Sequence, residues 1–168
     1  MKYRRIFADG HSYFLTVVTH QRKPILIENI EHLRNAFRYS KKRYEYKIDA
    51  IVILPDHFHM IITPQIAKEY PKIISNIKRS FVYTTVGRGF PTPTMKKRVS
   101  TSTIKDPKLT LSSSKYHRGH AGVWQERYYE HTIRDEKDWL EKMEYMRTNP
   151  LKHKLVENLE DWEYSSFT

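Results

Sequence analysis

The sequence contains no cysteine among its 168 residues. Disulfide bonds and thiolate metal sites are therefore excluded, and a metal ion could be held only by histidine, carboxylate or amide ligands. No apolar run is long enough to cross a membrane, and no apolar segment typical of a signal peptide follows Arg4 and Arg5. We therefore expect a cytoplasmic protein with no membrane partner.

Acidic side chains are outnumbered, and the positive excess is concentrated in one segment. The formal net charge is +11, from 30 Lys and Arg against 19 Asp and Glu. Residues 66–118 carry twelve basic and two acidic side chains, whereas residues 119–168 carry seven and eleven. A generally basic protein would spread this excess more evenly. The pattern favours a localised surface that binds a polyanion such as nucleic acid.

Apolar periodicity predicts the order strand, helix, hairpin, helix, loop, strand, helix. The predicted strands are 12–19, 48–54, 57–63 and 124–133, and the predicted helices are 28–46, 71–87 and 135–149. An α+β fold, ferredoxin-like with an antiparallel sheet and helices packed on one face, is the simplest packing. We expect one domain over 1–168, with a flexible basic insertion rich in Ser, Thr, Lys and Pro at about 88–118.

Two histidines separated by one residue are candidate metal ligands. His57 and His59 lie on a predicted strand, where side chains two residues apart face the same way and Phe58 faces the opposite, apolar side. With nine histidines in the chain, this spacing also arises by chance. Taken alone, it is more typical of ordinary core or surface histidines.

The last predicted helix presents a tyrosine away from its apolar stripe. Asp135 can cap this helix, and Pro150 is expected to end it after Asn149. At about 100° per residue, Tyr145 and Asn149 fall on the same side and off the stripe. The stripe consists of Trp139, Leu140, Met143 and Met146. Taken alone, Tyr145 is more typical of a surface tyrosine.

The combination of these side chains suits phosphodiester chemistry. A phosphodiester is a poor electrophile because its anionic oxygens repel nucleophiles, so a cation is needed to offset that charge. Two neutral imidazoles and an amide oxygen leave a cation its full charge and open positions for phosphate oxygens. A phenol that attacks phosphorus retains the bond energy of the cut end in a phosphotyrosine, whereas water would lose it.

Several segments resemble one known family over nearly the whole chain. LPDHFHMIITP resembles the HUH signature of the IS200-like single-tyrosine transposases, and YMRTNP resembles the tyrosine-helix motif of their REP-associated branch. The other similar segments are YFLTVVTHQRKPIL, NIKRSF, VWQERYYEHTIRDE and WEYSSF. The resemblance implies that Tyr145 is the nucleophile. It also implies that His57, His59 and Asn149 bind a divalent cation, Mg or Mn. The insertion at 88–118 departs from the family pattern.

The leading hypothesis is therefore a tyrosine transposase. It would cut and rejoin single-stranded or hairpin, REP-like DNA through a 5′-phosphotyrosine. One alternative is a domesticated protein that binds hairpin DNA or RNA without cutting. Another is a metallohydrolase that uses Asp56, ranked last because Asp56 is expected to point away from His57. Insertion-sequence relatives resemble swapped dimers and the REP-associated branch monomers, so both a monomer and a homodimer stay open.

Basic side chains are the least specific signal in the sequence. Solvated surface charge is an equally weighted alternative for each of them. The residues expected to contact DNA phosphates are Arg4, Arg5, Lys78, Arg79, Lys96, Lys97 and Arg98.

Overall fold

A computed structural model describes residues 7–85 and 122–167 of the chain. Its strands are β1 Tyr13–Val18, β2 Tyr46–Ile53, β3 His57–Pro64 and β4 Tyr129–Thr132, and its α-helices are α1 Ile30–Lys41, α2 Tyr70–Thr85 and α3 Glu136–Lys152. No helix within these ranges is long and apolar enough to cross a bilayer. The single-domain organisation stays a prediction. The basic insertion predicted at about 88–118 lies outside the described residues.

The four strands form one antiparallel sheet in the order β2-β3-β1-β4. β2 and β3 form the predicted hairpin, with the turn at Pro55-Asp56. Two strand-helix-strand units that interleave in this order give the ferredoxin-like arrangement. The α+β fold class predicted from the sequence is therefore confirmed.

The helices lie on both faces of the sheet and not on one face as predicted. α1 and α2 contact each other and pack over one face, where Leu15, Phe58 and Ile73 belong to the larger apolar core. α3 packs over the opposite face, where Met146 and Phe14 belong to a smaller core. Neighbouring residues of β1 therefore contribute to different cores, as the alternation of a strand requires.

The side of α3 that meets the sheet is only partly apolar. Met146 belongs to the smaller core, and Trp139 and Met143 pack against it, as the predicted stripe requires. Asp138 and Asn149 are buried beside Met146. The carboxylate of Asp138 accepts a hydrogen bond from His131 Nε2 at 2.7 Å, so its charge is paired. Leu140, predicted to belong to an apolar stripe, is 59% exposed. Apolar periodicity predicts which side of a helix is buried, but it does not predict which face of the sheet that side covers.

α3 begins as predicted but continues past its proline. The Asp135 carboxylate accepts a hydrogen bond from the main-chain N–H of Asp138 at 2.8 Å, which caps the helix. The helix was expected to end after Asn149, yet it runs through Pro150 to Lys152. Pro150 lies in the last turn, where the ring costs one hydrogen bond and its fixed φ still suits a helix.

Residues 164–166 lie along the outer edge of β2. The N–H of Ile53 donates to the carbonyl of Tyr164 at 2.8 Å, and the N–H of Ser166 donates to the carbonyl of Ile51 at 2.9 Å. The indole of Trp162 donates to the carbonyl of Ile53 at 3.0 Å. Main-chain groups on this edge of the sheet are thereby hydrogen-bonded.

Candidate active site

His57 and His59 project from β3 onto the face that α3 covers. Their ring centroids are 4.9 Å apart, and each residue is only 3% exposed. Phe58 lies between them and is buried in the core on the opposite face. The strand alternation thus places both imidazoles on one side, as expected from their spacing.

Asp56 fixes the orientation of His57. Its Oδ1 lies 2.5 Å from His57 Nδ1, which corrects the expectation that this carboxylate points away from His57. Asp56 belongs to the turn, where strand alternation does not hold, and its main-chain carbonyl is held by Thr19. A carboxylate only accepts hydrogen bonds, so Nδ1 donates and the lone pair of His57 lies on Nε2.

Thr16 on β1 is hydrogen-bonded to the corresponding ring nitrogen of His59. Its hydroxyl lies 2.7 Å from His59 Nδ1, and the two residues are directly opposite each other in the sheet. Burial lowers the pKa of His59 to about 3, and burial also lowers the pKa of His57 against the opposite effect of Asp56. Both imidazoles are therefore neutral near neutral pH, which is the form that binds metal ions.

α3 brings Tyr145 to His59 and buries Asn149 one turn further along the helix. The Tyr145 ring centroid lies 5.2 Å from that of His59 and 5.9 Å from that of Phe14, and Tyr145 is 40% exposed. Asn149 is 1% exposed, so the expectation that it lies off the buried face is wrong. The helix therefore presents an accessible phenol beside His59. The buried Asn149 lies in the chain between Tyr145 and His153, whose rings are 5.2 Å from those of His59 and His57 respectively.

Two buried polar atoms at this site lack a hydrogen-bond partner within the described part of the chain. They are His59 Nε2 and Asn149 Oδ1. When Nδ1 of His59 donates to Thr16, Nε2 carries a lone pair, so both orphaned atoms are acceptors. Two acceptors cannot satisfy each other, and a cation satisfies both. In that tautomer the donor set fits a divalent cation.

The described residues contain no cluster of three or more His, Cys, Asp or Glu side chains that could hold a metal ion. A cation between the two imidazoles would therefore need a ligand of another type. The Asn149 amide oxygen is a ligand of that type, common for hard divalent cations.

Three further cationic or titratable side chains lie near the site, and two of them, Lys152 and His153, were missed in the sequence. Lys152 Nζ lies 4.9 Å from the Tyr145 ring centroid, and Lys142 Nζ lies 5.7 Å from that of Phe14. The His153 ring centroid is 5.2 Å from that of His57. Helical spacing was the available signal, since His153 follows Asn149 by four residues and residues at that spacing share a face.

The structure does not bring Lys78 or Arg79, two of the predicted DNA-binding residues, to this site. Lys78 Nζ donates to the carbonyl of Gln125 at 2.7 Å and to that of Glu126 at 3.4 Å, and burial lowers the pKa of Lys78 to about 8. Arg79 is exposed on α2, across the sheet from the histidines. The other predicted contacts, Arg4, Arg5, Lys96, Lys97 and Arg98, lie outside the described residues.

Lys78 and its neighbour Arg79 are expected to respond differently to substitution. Lys78→Met keeps the length of the side chain but leaves two carbonyls without their donor, so it should lower the free energy of unfolding by roughly 1–3 kcal/mol. Arg79→Gln removes a charge at the surface and should change stability by less than about 0.5 kcal/mol. Urea unfolding measures both. Equal stabilities for the two variants would contradict the assigned role of Lys78.

The chain is similar to known transposases over most of its length. Residues 8–89 match the family described as "Transposase IS200 like". A Haemophilus influenzae protein provisionally named a REP-associated tyrosine transposase is 34% identical, over 98% of this chain and 84% of its own length. A REP-associated tyrosine transposase of Escherichia coli is 27% identical, over 99% of this chain and 82% of its own.

The fold of the chain is similar to that of a solved structure over nearly the whole chain. That structure is described as a REP-associated tyrosine transposase bound to a REP hairpin, and it matches with a TM-score of 0.73 and 27% sequence identity. The match covers 99% of this chain and 82% of the other.

Proposed function

Because the chain belongs to the REP-associated tyrosine transposases, we propose that it cuts and rejoins single-stranded DNA beside a REP-like hairpin, with Tyr145 as the nucleophile. The observation that carries this proposal is the position of Tyr145. Its ring lies 5.2 Å from that of a buried, neutral histidine, and it is 40% exposed, so a DNA strand can reach the hydroxyl. Within the described residues, the other exposed rings, Phe7 and Tyr129, have no recorded ring contact with a buried histidine.

The proposed reaction exchanges one phosphate ester for another. The Tyr145 oxygen forms a bond to phosphorus, and the bond from phosphorus to the 3′ oxygen breaks. The phenol loses its proton and the departing 3′ oxygen gains one, which leaves a free 3′-OH and a 5′-phosphotyrosine. A 3′-OH that attacks the phosphotyrosine reverses these steps and rejoins a strand, because the ester bond has been retained.

His57, His59 and Asn149 would hold a divalent cation, Mg or Mn, through the imidazole lone pairs and the amide oxygen. When bound, the cation supplies positive charge that offsets the anionic phosphate oxygens during attack. Asp56 and Thr16 keep the two imidazoles in position through their hydrogen bonds. Burial keeps the imidazoles neutral and so keeps their lone pairs available.

The partner that fits this site is a hairpin with an adjoining single strand. The solved relative is described as bound to a REP hairpin, which supports hairpin DNA as the ligand of this chain. Lys142 and Lys152 lie beside the aromatic rings of the site and provide positive charge at its rim. A polyanion that approaches Tyr145 therefore meets favourable charge from the helix that carries the nucleophile.

A covalent protein–DNA species tests the proposed function. The wild-type protein is incubated with a hairpin DNA that carries labelled single-stranded extensions and Mn²⁺, and the products are separated on a denaturing gel. We expect a labelled band of protein-linked DNA and a second product whose 3′-OH a polymerase can extend. EDTA should abolish both products.

Other outcomes of the same gel identify the alternatives. Cleavage without any adduct would show a hydrolase that activates water. Binding without cleavage under all conditions would show a protein that only holds the hairpin. Mass spectrometry of the DNA-linked peptide assigns the nucleophile, and a link to Tyr128 or Tyr129 would overturn the role given to Tyr145.

A further inference from the structure

Tyr129 lies on the same face of the sheet as the candidate active site. In the antiparallel register Tyr129 is directly opposite Thr16, and Thr16 is directly opposite His59. Residues opposite each other in adjacent strands project to the same face. Tyr129 is therefore two strand spacings from His59, or about 10 Å.

The Tyr129 ring is exposed and belongs to a row of aromatic rings. Tyr129 is 57% exposed, whereas Tyr128 packs against the core on the other face. The centroid of Tyr129 lies 6.2 Å from that of the buried Phe14, which lies 5.9 Å from that of Tyr145. The row thus runs from the nucleophile to the β4 edge of the sheet. Lys142 Nζ lies 5.7 Å from the Phe14 centroid, in the middle of the row.

We propose that Tyr129 is a stacking platform for an unpaired base of the DNA strand that Tyr145 attacks, and that Lys142 contacts a backbone phosphate beside that base. The position of the attacked bond rests on the proposed function, but base stacking does not require cutting. Aromatic side chains flanked by cations bind single strands with little sequence preference, because every base has a face that can stack. A base inside a duplex already stacks on its neighbours, so this subsite selects the unpaired strand beside a hairpin.

The exposure of Tyr129 distinguishes this role from a structural one. A tyrosine that serves the core would bury its ring, as Tyr13 and Tyr70 do on the other face of the sheet. Tyr129 instead offers more than half of its surface to solvent, and only the Phe14 ring connects it to the candidate nucleophile. Lys142 is 24% exposed and 4.0 Å from the carboxylate of Asp138. That carboxylate also accepts from His131, so Lys142 can move to a phosphate without leaving the carboxylate unpaired.

The binding test uses a single strand and no cutting. The Tyr145→Phe protein is titrated with a fluorescein-labelled oligo-deoxythymidine strand in EDTA, and the affinity is followed by fluorescence anisotropy. Adding Tyr129→Leu should weaken binding about tenfold, the loss of roughly one stacked base. Adding Tyr129→Phe should keep the affinity within about twofold, because the ring remains. A blunt duplex of the same length should show little difference among these proteins.

Phe7→Leu provides a matched control. Phe7 is 43% exposed and contacts Tyr70 on the opposite side of the sheet, so its replacement should leave the affinity unchanged. Lys142→Gln should weaken binding and make the dependence of log affinity on log salt concentration shallower by about one counterion. An unchanged slope would show that Lys142 is not a phosphate contact.

Photo-crosslinking tests the unsubstituted residue and does not depend on how the variants fold. A strand that contains 5-iodouracil is irradiated with the wild-type protein in EDTA, and the DNA-linked peptides are sequenced. Attachment at Tyr129 supports the proposal, whereas attachment only at other residues overturns it. An unchanged affinity of a folded Tyr129→Leu protein would also overturn the proposal.

These outcomes are separable from those of the proposed function. If the wild-type protein forms no adduct with hairpin DNA in Mn²⁺, the cutting reaction is wrong, yet an affinity that depends on Tyr129 would still establish the stacking subsite. If the adduct forms at Tyr145 and Tyr129→Leu leaves the affinity unchanged, only the proposal of the stacking subsite is wrong.

Discussion

Tyr145→Phe is expected to abolish both DNA cleavage and the covalent protein–DNA species while hairpin binding is retained. The substitution removes one oxygen atom and keeps the ring beside His59 and Phe14. Loss of a nucleophile typically lowers a catalysed rate by orders of magnitude, so we expect a fall on the order of 10³-fold or more. Because Tyr145 is 40% exposed, the free energy of unfolding of the protein should change by less than about 0.5 kcal/mol.

A denaturing gel and an anisotropy titration of the same hairpin separate chemistry from binding. Tyr39→Phe removes a hydroxyl from α1, on the other face of the sheet, and serves as the control that should cut normally. Undiminished cleavage by Tyr145→Phe would rule out Tyr145 as the nucleophile. A parallel loss of binding would instead indicate that the hydroxyl contacts the DNA before the reaction.

His59→Ala should remove the effect of Mn²⁺ on both cleavage and thermal stability. A cation present at one hundred times its dissociation constant stabilises a folded protein by about 2.7 kcal/mol. For a chain of this length, that corresponds to a rise in Tm of roughly 5–10 °C. Without His59, the cation loses a buried ligand, so most of that rise should disappear and cleavage should stop.

The difference between Tm with and without Mn²⁺ is the quantity to compare, because the substitution also affects the metal-free protein. It leaves a cavity, and it removes Nε2, a buried atom without a hydrogen-bond partner within the described residues. His32→Ala on α1 is the control and should show the full Mn²⁺ effect. A His59→Ala protein that Mn²⁺ stabilises as much as it stabilises the wild type would disprove the metal site.

Much of the fold could be predicted from the sequence because its elements carry ordinary periodicity. β1 and the hairpin of β2 and β3 alternate or are rich in β-branched residues, and α1 and α2 have apolar stripes. The boundaries were less accurate. α1 ends at Lys41, where the sequence suggested about Tyr46, and β4 is shorter than the segment 124–133 that predicted it.

The face of the sheet that α3 covers could not be predicted from its apolar residues. Its buried side includes Asp138 and Asn149, whereas Leu140 is exposed. Buried polar side chains break the apolar pattern expected of a packing surface, so the burial of Asp138 and Asn149 could not be predicted from it. The common face of His57 and His59 could be predicted because strand alternation depends on the backbone alone.

The partners of charged side chains also could not be predicted, because they depend on tertiary contacts that no local sequence pattern reveals. Lys78 and Arg79 are neighbours with the same sign of charge, yet Lys78 binds main-chain carbonyls and Arg79 is exposed. Asp56 was expected to point away from His57, but its position in the turn allows a direct hydrogen bond. For Lys78 the partners are distant in sequence, and for Asp56 the turn geometry sets the direction of the carboxylate.

The segment 164–166 along β2 has a consequence for aggregation. An unpaired strand edge is a template on which strands of other chains can add. β2 contains Ile48, Ile51, Val52 and Ile53, a composition typical of aggregation-prone strands. Because residues 164–166 occupy its edge, the folded chain does not present this template to partially folded copies. Shortening the chain before Tyr164 would remove that protection while leaving His57, His59, Tyr145 and Asn149 in place.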